Sequence, residues 1–92
     1  MSGSDLQEVK VKFKLEAARY IREYRYTMGF IDGVQEEGYE VMTFMTSEPD
    51  IFARWLLQFS NSAEVLRPAS LKERVLELHQ LGMDAYLDKE IQ

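Results

Sequence analysis

Val9-Lys10-Val11-Lys12-Phe13-Lys14-Leu15 alternates without interruption, with Val9, Val11, Phe13 and Leu15 on one side and Lys10, Lys12 and Lys14 on the other. Side chains of an extended chain repeat every two residues, so this is a half-buried strand with a row of lysines on its wet face. The stretch decides the fold. Without it the chain could be read as a three-helix bundle, and VKVKFKL is hard to read at helical period.

Working outward, the period changes at Glu16. Ala17, Tyr20, Ile21 and Tyr24 then share one helical face, and Arg19, Arg22 and Glu23 lie off it. Two short runs follow, Gly29 to Gln35 and Tyr39 to Thr46, separated by Glu36-Glu37-Gly38. Gly38 reaches positive φ at little cost, so the runs form a hairpin. In the second run Met42 and Phe44 share one face and Tyr39, Val41 and Met45 the other, so both faces are expected to touch something. Ser47, Pro49 and Asp50 open a second helix, with Ser47 as cap and Phe52, Trp55, Leu56 and Phe59 as its core face. Ser60-Asn61-Ser62 ends it, Ala63 to Arg67 forms a last strand, and Pro68 closes that strand. Ser70 and Glu73 have capping-box spacing and open a final helix carrying Leu71, Val75, Leu78, Leu81 and Tyr86. The order βαββαβ plus a C-terminal helix predicts an α+β, ferredoxin-like sandwich.

The 92 residues hold one domain, and residues 1–6 read as a flexible leader or an expression remnant before a domain over residues 7–92. No apolar run approaches a membrane span. Zero cysteines remove disulfides and thiolate metal sites, which suits a cytoplasmic protein. A net charge of -5 repels a phosphate backbone on average and argues against autonomous duplex binding. The single histidine, His79, stands without a metal or triad motif, so neither a catalytic site, a metal site nor a cofactor is expected.

Two basic sets remain as candidate sites. Lys10, Lys12 and Lys14 stand in a row on the open sheet face, where they either contact a ligand or simply keep the face soluble. Arg19, Arg22 and Arg25 interleave with Tyr20, Tyr24 and Tyr26, placing phosphate-binding forks beside stacking rings, as a nucleic-acid or anionic effector requires. The alternative is an ordinary solvated helix face. Tyr39, Val41 and Met45 are too apolar for an open sheet surface and mark a candidate subunit interface.

The strand VKVKFKL, the helix EAARYIREY, the run EEGYEVMTFMTS and above all RWLLQFSNSAEVLRPASLKERV resemble the WYL C-terminal extension (WCX) found behind the WYL domain of bacterial helix-turn-helix transcription regulators. Trp55, Leu56, Leu57, Phe59, Val65, Leu66, Pro68 and Leu71 carry the likeness. Members usually have glycine directly after the phenylalanine, where this chain has Ser60. The resemblance implies a non-catalytic module that responds to an effector and joins subunits, with Arg19, Arg22, Arg25, Tyr26 and the three lysines as effector or partner-domain contacts. Its implied partners are WYL and helix-turn-helix domains, a nucleic-acid or small anionic effector, and a second copy in a homodimer. A free-standing ferredoxin-like protein that binds a small ligand or dimerises is the competing expectation.

Overall fold

The computed structural model describes residues 5–91, and the expected leader lies mostly outside them, at residues 1–4. Strand β1 (Gln7–Lys14) leads into helix α1 (Leu15–Ile21), a 3-10 turn (Arg25–Met28), the hairpin β2 (Phe30–Glu36) and β3 (Tyr39–Thr46), helix α2 (Pro49–Leu56), a second 3-10 stretch (Leu57–Ser62), strand β4 (Ala63–Arg67) and helix α3 (Ala69–Ile91). The sheet is antiparallel, in the order β2-β3-β1-β4. An α+β sheet with a C-terminal helix is therefore what the alternation and period changes predict.

The strand that decides the fold behaves as read: Val9, Val11 and Phe13 are fully buried, while Lys10 and Lys12 are half-buried and Lys14 is exposed. In β3, Met42 and Phe44 face the same core. Phe44 stacks edge-on with Phe13 at 6.2 Å and Phe52 at 5.1 Å between ring centres, so both central strands and α2 share one aromatic cluster. Burying each such ring stabilises the fold by roughly 2 to 3 kcal/mol relative to leaving it exposed.

The helix-period reading of α1 needs correction at Tyr20. Its buried residues are Ala17, Ala18 and Ile21, two small side chains that let the helix approach the sheet closely. Tyr20, expected on the core face, is exposed, and Tyr24 packs against the core from just beyond the helix end. Trp55 is also only half-buried, though it touches Phe13, Phe44, Phe52 and Phe59. Neither expected cap residue stands at the cap position. Glu48 occupies the cap position of α2 without a side-chain hydrogen bond, with Pro49 in the first turn. Ser70 falls inside α3, whose first amides, Leu71 and Lys72, donate to the Pro68 carbonyl.

Positive φ is distributed as the turns demand at Gly38 (φ 89°) and Gly29 (φ 92°). A side chain at Gly29 would also meet the Met45 carbonyl oxygen, whose own amide bonds Gly29. The third positive φ falls on Ser60 (φ 55°, ψ -122°). Those angles match the first central position of a type II′ turn, where glycine dominates, so this serine carries strain.

Only the first half of α3 reaches the core. Leu71 and Leu78 are buried and Val75 is half-buried, whereas Leu81 and Tyr86, expected on the same face, are exposed together with Leu76, Met83 and Leu87. Asp50 ties α2 to α3 through its ion pair with Arg74, and pairs with Arg54 one turn along its own helix. Hydrogen bonds from Arg74 and Arg54 hold its carboxyl below the ordinary aspartate range.

Candidate functional site

The sandwich separates the two basic sets. Lys10, Lys12 and Lys14 belong to the open face of the sheet, while Arg19 and Arg22 belong to α1 and its C-cap in the helix layer. A single small ligand cannot reach both.

On the sheet face the lysines are already partly engaged. Lys10 donates to the Thr43 hydroxyl at 3.1 Å, and the Lys12 ammonium lies 4.4 Å from the centre of the Tyr39 ring. The register sets Lys12 between Val41 and Glu64, and sets Lys10 between Thr43 and Arg67. Tyr39, Val41 and Met45 are half-buried on this face, and across the hairpin Val34 pairs with Val41. The Tyr39 hydroxyl donates to Glu36 at 2.9 Å, which raises its pKa above the ordinary tyrosine value. The face is thus a patchwork of cation, carboxylate and apolar groups rather than a basic patch.

The arginines divide. Arg25 sits in the 3-10 turn, its side chain only 15% exposed, and its guanidinium meets Glu40 at 3.3 Å and lies 3.8 Å from the centre of the Phe30 ring. Glu40, in turn, is buried on the core face of β3. The carboxylate has room there because position 33 is glycine: a Cβ at Gly33 would come 2.3 Å from Glu40 Oε2. Arg25 therefore closes one end of the core, and its Nε is buried without a partner. Tyr26 is exposed and packs edge-on against Phe30 at 5.2 Å.

Arg19 and Arg22 are exposed and make no ion pair among the described residues. Next to them Tyr20 stands in the open, its ring 6.0 Å from Tyr24 and 6.3 Å from Phe59. Burial, with a smaller contribution from Tyr20, raises the pKa of Tyr24 above the ordinary tyrosine value. A shallow groove of about 350 Å³, lined by Glu16, Ala17, Tyr20, Gln58, Phe59 and Ser62, runs along Tyr20 beside the strained Ser60 turn. Neither Arg19 nor Arg22 lines this groove, whose one charged lining residue is the acidic Glu16, so the exposed ring and the free guanidinium groups are separate features of the same helix segment. The sequence placed Tyr20 both on the core face of the helix and among the rings interleaved with the arginines, and its 65% exposure decides against the core. The signal was the adjacent pair Ala17-Ala18, whose small side chains mark the sheet-facing side of α1 and leave Tyr20 off it.

Among the described residues no three histidine, aspartate or glutamate side chains gather as a metal site, and no helix is long and apolar enough to cross a membrane. In comparison with known families, the model of the WCX domain matches residues 5–81. No curated protein matches the chain.

Proposed function

The chain belongs to the WCX domain family, and from that premise we propose that it is the C-terminal effector-response and subunit-joining module of a bacterial, cytoplasmic WYL-domain transcription regulator. The family is regulatory in type and is associated with WYL-type regulators. The module acts by binding, not by catalysis. The arrangement of βαββαβ elements as β2-β3-β1-β4 supports reading the scaffold as a ferredoxin-like sandwich extended by α3.

The observation that carries the reading is that Arg19 and Arg22, one helical turn apart, are exposed without an ion pair among the described residues, with Tyr20 exposed on the same helix. Long cations without acidic partners suit an anionic effector, and an exposed ring on the same helix suits one with a planar part, such as a nucleobase. Glu16 and Glu23 flank the pair, so the site favours a ligand that also makes contacts elsewhere. A WYL domain would supply the other half. Binding by this domain alone is accordingly weak, and it falls as salt rises.

The test of the module reading is the coding sequence on either side of this chain. A continuous frame encoding a helix-turn-helix and a WYL domain is the expected result. A frame that encodes this domain alone contradicts it and favours a free-standing ligand-binding or dimerising protein.

A further inference from the structure

The groove between α1 and the 3-10 stretch Leu57–Ser62 has two aromatic walls, Tyr20 and Phe59. Their rings stand at 74° to one another with centres 6.3 Å apart, so they make a corner of π surface that the exposed Tyr20 opens to solvent. Acceptors stand beside that corner. Glu16, one turn before Tyr20 on the same face of α1, lines the groove and makes no ion pair among the described residues. Gln58 donates from Nε2 to the Trp55 carbonyl at 3.0 Å, which fixes its carboxamide and leaves Oε1 as a free acceptor.

We propose that this groove binds a small organic cation by a planar guanidinium head, which lies against the Tyr20 ring and donates to the Glu16 carboxylate and to Gln58 Oε1. The site goes beyond the proposed function and does not depend on it, because Arg19 and Arg22 do not line the groove. The chain already contains the same three groups assembled from its own residues. Arg25 holds its guanidinium 3.3 Å from Glu40 and 3.8 Å from the centre of the Phe30 ring. The groove presents a carboxylate and a ring to solvent, so a guanidinium from outside meets there the kinds of partner that Arg25 has inside.

Charge selects the same class of ligand. Glu16 is the groove's one charged residue and the whole chain carries a net charge of -5, so an anion is repelled and a cation drawn in. A metal ion fits poorly, since hard cations take about six or more oxygen ligands and the groove offers a single carboxylate. An acid in the first turn of a helix is favoured by the helix dipole without any ligand, which alone would account for Glu16. That leaves the second acceptor at Gln58 and the strained Ser60 without a reason. Ser60 lies between Phe59 and Ser62, both of which line the groove, and strained backbone gathers at ligand clamps.

The experiment is a titration of the isotope-labelled 92-residue chain with methylguanidinium and with free arginine, followed by amide chemical shifts, against sodium chloride at matched ionic strength. Both compounds are expected to give weak, saturable shifts centred on α1 and the Leu57–Ser62 stretch, and the salt none. Glu16→Gln is expected to weaken binding about tenfold through loss of a charge-assisted pair. Tyr20→Leu, which keeps an apolar side chain and removes the ring, is expected to weaken it about threefold. Arg19→Ala with Arg22→Ala is expected to leave it equal or tighter, the opposite of what an anion would show. All these positions are exposed, and circular dichroism confirms that each variant is folded. Shifts that do not saturate, or that Glu16→Gln leaves unchanged, overturn the inference. So does binding of an arginine-bearing peptide where neither free compound binds, because the site then serves a protein partner instead of a small cation.

Discussion

Arg22 and Arg25 are three positions apart and of one type, yet the fold gives them opposite situations. Arg25 is enclosed by Glu40, Phe30 and Met42, whose sulfur lies 3.9 Å from its guanidinium, while Arg22, like Arg19, stands free in solvent. The enclosed arginine is committed to holding the 3-10 turn against β3. The free pair is what a ligand can reach. Burial, not residue type or spacing, thus decides which of the three cations can carry function, because an arginine already paired in a low-dielectric site gives up that pairing before it can bind anything else.

The contrast can be broken from its enclosed side first. Glu40→Ala strands the Arg25 charge and is expected to destabilise the domain by about 3 kcal/mol, the lower end for breaking a buried ion pair, since both side chains keep slight exposure. The double replacement Arg25→Met with Glu40→Leu is expected to cost much less than the sum of the singles. Urea denaturation of the four proteins in that cycle checks both statements, and additive losses would mean the pair is not coupled. Gly33→Ala forces the Glu40 carboxylate aside and should cost about 1 to 2 kcal/mol, as overpacking does, with Arg25 loosened in consequence. A neutral effect would show that Glu40 has another place to go.

Ser60→Gly acts on the free side of the molecule and in the opposite direction. It removes strain from the turn beside the Tyr20 groove and should stabilise by about 1 kcal/mol, read as a higher melting temperature. Arg19→Ala with Arg22→Ala completes the contrast. Stability should shift by less than about 0.5 kcal/mol, as for exposed substitutions generally. A larger loss would place these arginines in a structural role like that of Arg25.

Acid probes a third charged contact. Since Arg74 and Arg54 lower the pKa of Asp50, its contribution is present above the ordinary aspartate range and is lost as pH falls through the depressed value. Stability should therefore decline in acid, and Asp50→Asn should weaken that decline. An unchanged pH profile in this variant would show that the clip between α2 and α3 contributes nothing measurable.

The alternation of Val9 to Leu15 made β1 legible, and the positive φ of Gly38 follows from a glycine between two strand-like runs. Those signals are local. The enclosure of Arg25 depends on Glu40 across the hairpin and on the missing side chain of Gly33, contacts that no helical or strand period reports. The exposure of Leu81 and Tyr86 was equally hidden, because α3 keeps its apolar residues after the layer beneath it has ended. The glycine usual in the family after the phenylalanine pointed to the position of the strained turn, and the angles at Ser60 give its physical reason.

The central claim is that the domain binds an anionic, planar ligand through Arg19, Arg22 and Tyr20 while Arg25 stays structural. Its most direct test is a fluorescence anisotropy titration of a short labelled single-stranded oligonucleotide with the chain, at low and at raised salt, with the Arg19→Ala, Arg22→Ala variant alongside. The account predicts weak binding at low salt that fades as salt rises and is lost in the variant, whose melting temperature is unchanged. Equal binding by wild type and variant, or none by the wild type at low salt, would contradict it.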